Sequence, residues 1–144
     1  MDPAVTHKDY SGTPLPKKLG IVEGTRAAVV NEPDGFLEWF EPLVPAGATL
    51  MDRAAKKLDV ILFFTTGHKH LARRFGVLAA YLQPAGGLWV AYPKRSSSLT
   101  TDLTFATVQR VGLDAGLVDN KSCAIDDDWS AVRFVYRLAD RPTP

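Results

Sequence analysis

Several features that define other protein classes are scarce in this sequence. Cys123 is the only cysteine among 144 residues, which excludes an intrachain disulfide and leaves too few thiolates for a cysteine-based zinc site. No apolar run approaches the roughly 20 residues that span a bilayer. The first residues, MDPAVTHKDY, lack the basic start and apolar centre of a signal peptide. We therefore expect a cytoplasmic protein with no membrane partner.

An excess of charge of one sign is also missing. The 17 Lys and Arg residues are balanced by 16 Asp and Glu residues, giving a net charge of +1. Nucleic-acid binders gain affinity by neutralising many phosphates, so this balance argues against a nucleic-acid partner. The length and the 46% hydrophobic content are those of one ordinary globular domain.

Composition also suggests where the domain begins and ends. Residues 1–16 contain three prolines and little apolar material, and the last residues again carry prolines. Such segments order only where they dock on a fold. We predict an N-terminal arm at 1–16, a single domain at 17–138 and a C-terminal tail at 139–144.

The middle of the chain alternates between strand and helix patterns. Residues 58–66 and 86–94 are continuous apolar runs, typical of parallel strands buried on both faces. Between them, apolar residues recur every three or four positions, which predicts an amphipathic crossover helix that Pro84 ends. Residues 26–31 and 48–52 predict shorter strands, with a helical pattern between them.

The last third predicts a helix and a hairpin. The helix follows PKRSSS, with Thr101 as its cap and an end near Gly112 or Gly116. Two further strand patterns flank the acidic turn 126–128, so these strands should be antiparallel neighbours. The sum is an α/β, three-layer Rossmann-like domain with a mostly parallel sheet and a C-terminal antiparallel hairpin.

Four segments resemble class I S-adenosylmethionine-dependent methyltransferases. KKLGIVEGTRAAVVN is similar to their entry segment and first strand, LDVILFF to their fourth strand, and LQPAGGLWVAYPK to the passage into their fifth. LVDNKSCAI with WSAVRFVYRL is similar to their terminal hairpin. The resemblance runs from Lys17 to Leu138 and implies a methyltransferase-like fold with S-adenosylmethionine as the candidate cofactor.

A second resemblance is closer but implies no activity. YSGTPLPKKLGI, GGLWVAYPKR and AGLVDNKSCAIDDDWSAVRFV resemble a small bacterial family, the domain of unknown function numbered 3052 (DUF3052).

The sequence departs from the methyltransferase pattern in two places. The glycine-rich loop that follows the first strand in those enzymes here reads NEPDG. Pro33 lacks a backbone donor, and Glu32 and Asp34 would lie near the carboxylate of the cofactor. Residues 53–58 are also too few for the helix, strand and helix that usually follow the second strand. The fold is therefore expected to lack part of its second half-turn, with a reduced cofactor pocket.

Candidate cofactor-binding residues lie where the predicted strands end, because ligands of open α/β sheets bind beyond the carboxyl ends of the strands. An acid after the second strand binds ribose hydroxyls in nucleotide folds, although a solvated turn or helix-cap aspartate is the commoner reason for a single acid at such a position. The candidates are Asn31, Asp34, Gly35, Asp52 and Thr65.

A second candidate is an anion site in PKRSSSLTTD. Two cations, several hydroxyls and a helix start are the groups that bind phosphate or carboxylate, although a flexible surface loop is the alternative. The candidates are Lys94, Arg95, Ser96, Ser97 and Thr101.

Other side chains give no recognisable chemistry. The HKH triplet of His68 and His70 lacks a third ligand, so no metal site is predicted. Cys123 fits a small buried apolar residue better than a nucleophile, and no catalytic group can be identified.

Three functions remain open. The first is a non-catalytic methyltransferase-like domain that binds a small anionic ligand or a protein partner at the carboxyl edge of its sheet. The second is a small S-adenosylmethionine-dependent methyltransferase with an atypical cofactor loop. The third is a structural homo-oligomer built through the terminal hairpin.

Overall fold

The computed structural model describes residues 13–141. Its four α-helices are α1 (Leu15–Leu19), α2 (Phe36–Phe40), α3 (His68–Ala79) and α4 (Phe105–Asp114), with 3-10 turns at Glu41–Leu43 and Leu138–Asp140. Its six strands are β1 (Arg26–Val30), β2 (Thr49–Met51), β3 (Leu58–Phe64), β4 (Leu82–Pro93), β5 (Leu117–Ala124) and β6 (Trp129–Tyr136).

The strands form one mixed sheet in the order β2-β1-β3-β4-β6-β5. The first four of these are mutually parallel. Strand β6 runs antiparallel to β4, and β5 runs antiparallel to β6. The predicted fold class, a mostly parallel Rossmann-like sheet closed by an antiparallel hairpin, is confirmed.

The sheet is covered on both faces, which explains why β3 is apolar at every position except Asp59, whose carboxylate accepts from the Arg26 N–H near the start of the strand. Leu62 and Phe64 point to a core shared with α1 and α2, whereas Ile61 and Phe63 point to a core shared with α3 and α4. Successive side chains of a strand point to opposite faces, so a strand between two helical layers presents apolar side chains to both of them.

The start of β4 differs from the prediction. Helix α3 ends at Ala79, and Pro84 lies within β4 rather than ending the helix. The backbone N–H of Leu58 donates to the carbonyl of Tyr81, and Leu58 pairs with Leu82. Pairing with β3 therefore draws residues 82–85 into the sheet. The backbones pass so closely that a Cβ atom at Gly86 would lie 2.9 Å from the Leu58 carbonyl oxygen.

The predicted cap of the last helix is wrong. Helix α4 begins at Phe105, and its N-cap is Thr104, whose Oγ1 accepts a hydrogen bond from the Thr107 N–H at 3.2 Å. Thr101 instead donates its hydroxyl to the carbonyl of Thr66 and accepts from the Leu103 N–H. With the Thr101 hydroxyl used in this way, residues 101–103 are not helical and the helix begins after Thr104.

The structure describes only part of the predicted arm and tail. Residues 1–12 of the predicted arm and residues 142–144 of the tail lie outside the described residues. Leu15 and Pro16, also placed in the arm, belong to α1 and are buried. Among the helices of residues 13–141, none has the length and hydropathy needed to cross a membrane.

Candidate functional site

The carboxyl ends of the parallel strands converge at a topological switch point. From β1 the chain moves outward to β2 and then returns to β3 on the other side of β1. In open α/β sheets the crevice at such a reversal is where ligands bind. The end of β1 and the end of β3 flank this crevice.

The loop after β1 closes part of the crevice itself. Asn31 adopts a left-handed conformation (φ 58°), which asparagine tolerates better than most residues. Its Nδ2 atom donates to the Phe64 carbonyl at 2.9 Å, which ties the end of β1 to the end of β3. Gly35 is also left-handed (φ 84°) and precedes α2. The loop thus has two residues with the left-handed backbone that glycine favours, and the Asn31 side-chain amide is hydrogen-bonded within the protein.

A cavity lies at the end of β2. It has a volume of about 430 Å³ and is lined by Leu37, Glu41, Leu50, Met51, Asp52 and Arg53. We call it the Asp52 cavity. Strand β2 ends at Met51, which pairs with Ala28, two residues before the end of β1. The exposed Asp52 carboxylate therefore stands at the edge of the sheet, beside apolar side chains of α2 and β2.

Thr65 uses its hydroxyl inside the protein. The side chain is 1% exposed, and Oγ1 lies 2.9 Å from His70 Nδ1. Desolvation lowers the pKa of His70, and the nearby Arg73 and Arg74 lower it further. A neutral imidazole therefore faces the hydroxyl. Thr65 follows β3 as predicted, but its hydroxyl is buried and already paired with His70.

The sequence did not single out His70 as a partner of Thr65. In the sequence, the HKH triplet raised only the question of a metal site. The described residues contain no group of three side chains that could hold a metal ion. The available signal was the spacing: a threonine that ends a strand and a histidine five residues later, in the first turn of a helix.

The predicted anion residues separate into two groups. Lys94, Arg95 and Ser96 line a cavity of about 410 Å³ at the end of β4, which we call the Arg95 cavity; the other lining residues are Tyr92, Pro93, Leu103, Thr104, Phe105 and Ser130. The Ser97 hydroxyl instead donates to Asp128 Oδ1 at 2.9 Å. Thr101 is bonded to Thr66, as described above. The structure therefore brings three of the five candidates together.

Cys123 is half-buried in β5. Burial raises the pKa of its thiol to about 11, although Lys18 opposes this shift. A thiol with so high a pKa is protonated at neutral pH and is a poor nucleophile.

Comparisons with known proteins place the fold. A structure of an S-adenosylmethionine-dependent methyltransferase from Aquifex aeolicus matches with a TM-score of 0.64 and 14% identity, covering 82% of this chain and 85% of that one. Magnesium protoporphyrin IX methyltransferase from Synechocystis with bound S-adenosylhomocysteine matches with a TM-score of 0.59 and 9% identity, covering 85% and 78% of the two chains. The fibrillarin pre-rRNA processing protein of Methanococcus jannaschii matches with a TM-score of 0.60 and 13% identity, covering 81% and 68%.

These matches show that the chain has the fold of class I methyltransferases. At sequence identities of 9% to 14%, these matches establish the fold but not the activity. No protein-family model matches the chain, and no curated protein matches it.

Proposed function

We propose that this chain binds S-adenosylmethionine or a related nucleoside through its nucleoside half, in the Asp52 cavity. The observation that carries the proposal is the position of Asp52, an exposed carboxylate at the carboxyl end of the second strand of a methyltransferase-like sheet. It lines a cavity whose volume lies within the range of small-molecule sites.

The residues of the cavity fit a nucleoside. A carboxylate only accepts hydrogen bonds, so Asp52 suits the two hydroxyl donors of a ribose. Leu37, Leu50 and Met51 provide apolar surface of the kind that a purine ring contacts.

The loop after β1 fits the amino-acid half of the cofactor poorly. The Asn31 amide is already bonded to the Phe64 carbonyl. Glu32 and Asp34 place two carboxylates in the loop, where they would repel a ligand carboxylate. We therefore assign recognition to the nucleoside half.

This function is that of a methyltransferase-like protein with an atypical cofactor loop. When bound, S-adenosylmethionine supplies a methyl group activated by its sulfonium charge. The part this chain plays is to hold the ribose at Asp52 and to cover the adenine with Leu37 and Met51. The Thr65–His70 pair is engaged internally and is not assigned a catalytic step.

The test is calorimetric titration with two nucleosides, S-adenosylhomocysteine and methylthioadenosine, which lacks the amino-acid group. Because the loop contributes no favourable contact, methylthioadenosine should bind at least as tightly as S-adenosylhomocysteine. Asp52→Ala should weaken both by about tenfold or more, since a charge-assisted hydrogen bond is lost.

Glu38→Ala is the matched control, because Glu38 is an exposed acid of α2 outside the cavity lining. It should leave both affinities unchanged. Equal binding by the wild type and Asp52→Ala would refute the assignment of the ribose site. Binding of S-adenosylhomocysteine alone would show that the loop does recognise the amino-acid group.

A second function is favoured by the Arg95 cavity. We propose that it binds a small anionic ligand, because an exposed arginine, a half-buried lysine and Ser96 line one cavity. Arg95→Gln should weaken sulfate binding by about two- to fivefold, the value of an ion pair at an exposed rim. Unchanged sulfate affinity would remove this function.

Two further points belong to the proposal. Membership in the DUF3052 family is supported by the likeness of YSGTPLPKKLGI, GGLWVAYPKR and the hairpin segment. A cytoplasmic location is supported by the single cysteine and the absence of apolar runs of membrane-spanning length in the sequence.

A further inference from the structure

The Arg95 cavity continues into a second cavity on the same face of the sheet. The second has a volume of about 390 Å³ and shares Tyr92, Phe105 and Ser130 with the first. Its remaining lining residues are Ser122, Cys123, Ala124, Ala131 and Val132. We call the two together the Phe105 cleft.

The strand register shows which side chains form the floor of the cleft. Tyr92 pairs with Ser130, and Ser130 pairs with Ala124, so these three side chains form a row across β4, β6 and β5. Val132 and Ser122 form the next row on the same face. Helix α4 covers this face only from Phe105 onward. The last row, made largely of small side chains, therefore lies open beyond the start of the helix.

Aromatic groups border this floor on two sides. Phe105, the first residue of α4, is 45% exposed although its ring is fully apolar. Tyr92 lines both cavities together with Phe105 and is half-buried, and burial raises the pKa of its phenol, so the hydroxyl stays protonated and can donate. Aromatic pairs prefer offset or edge-to-face contacts, which a flat ring entering between these residues would make.

Charge is unevenly distributed along the cleft. Lys94 and Arg95 line one end, and the lining residues found in the described chain include no carboxylate. Asp128, in the adjoining turn, accepts from the Ser97 hydroxyl through its carboxylate and from the Lys94 N–H through its carbonyl. The cleft is thus lined mainly by apolar and small side chains, with cationic side chains at one end.

We propose that the Phe105 cleft binds a flat aromatic molecule that carries one anionic group. The ring lies over Ser130 and Ala124 in contact with Phe105 and Tyr92, and the anion lies at Arg95. This inference rests on the second proposed function, the anion site, and is independent of nucleoside binding at Asp52, because β4 and β2 are separated by two other strands.

The test uses two fluorescent probes of the same shape: anilinonaphthalene sulfonate, which is anionic, and N-phenylnaphthylamine, which is neutral. Titrations with the folded protein should saturate at one site for each probe. Phe105→Ser should weaken both by about tenfold, because apolar contact area is lost. Arg95→Gln should weaken only the anionic probe, by about two- to fivefold.

The controls are matched in exposure. Val77→Ser removes an apolar side chain of α3 that is 47% exposed, and Arg73→Gln removes an exposed arginine of the same helix. Both variants should bind the probes as the wild type does. Melting curves check that each variant is folded. Arg95→Gln changes an exposed side chain, so it still tests the cleft if Phe105→Ser does not fold.

Competition with inorganic sulfate separates the two proposals. Sulfate should displace the anionic probe and leave the neutral probe bound. If Phe105→Ser has no larger effect than Val77→Ser, the cleft is overturned, even where sulfate binding at Arg95 persists. If neither Arg95→Gln nor sulfate changes binding of the anionic probe, both the preference for an anion and the anion site are overturned. Nucleoside binding at Asp52 does not affect this conclusion.

Discussion

At the scale of single residues, Gly112 shows how closely α4 approaches the sheet. A Cβ atom at this position would clash with the Phe134 ring. That ring is fully buried and makes an edge-to-face contact with Phe75, with 5.2 Å between ring centroids. The ring cannot move aside without disturbing α3, so the glycine sets the distance between α4 and β6.

Gly112→Ala should therefore destabilise the protein by about 1–3 kcal/mol, the usual cost of overpacking a core. Gly76→Ala is the control, because Gly76 lies in α3 with open space around its Cβ position. There alanine should stabilise by about 0.5–1 kcal/mol, since glycine is a poor helix former. Urea unfolding of both variants measures the difference, and a stabilised Gly112→Ala would disprove the close contact.

The candidate site could be predicted only in part, and individual residues show why. Asp52, Lys94 and Arg95 follow apolar runs, so a rule about strand ends was sufficient to find them. The Asn31 bond to Phe64 and the Thr65–His70 pair join residues on different elements. Such pairings depend on three-dimensional proximity, which residue types in one sequence do not encode locally.

At the scale of elements, the apolar patterns in the sequence predict every strand of the sheet, but they do not predict where every strand and helix begins and ends. Strand β3 is buried on both faces, so its composition alone identifies it. The start of β4 is set by pairing with β3, which overrides the helical spacing of Leu82 and the helix-ending preference of Pro84. The start of α4 is likewise fixed by contacts of Thr101 with residue 66.

The capping of α4 gives a prediction at this scale. Thr104→Ala should lower the free energy of unfolding by about 1 kcal/mol, because the Thr107 N–H loses its partner. Thr104→Ser keeps the hydroxyl and should restore most of the stability. Thr100→Ala changes an exposed threonine four residues earlier and should be neutral. Denaturant titration decides between the variants; equal stability of Thr104→Ala and Thr100→Ala would contradict the cap.

At the scale of the whole molecule, the two edges of the sheet bear on self-association. Strand β2 has only three residues, which gives little length for pairing with another chain. Strand β5 has eight residues and is the outer strand of the terminal hairpin, where the structural homo-oligomer would form. Its register shifts between Asp119 and Lys121, and residues 120–122 are exposed. A bulge and an exposed lysine are devices that protect edge strands from pairing.

We therefore expect the 15.7 kDa chain to sediment as a monomer across a wide range of dilution. Lys121→Val, which replaces the edge charge with a strand-forming apolar side chain, should increase self-association at high concentration. Lys56→Val is the control, since Lys56 is equally exposed but lies outside the strands. A concentration-dependent dimer of the wild type would mean that the hairpin edge is an interface.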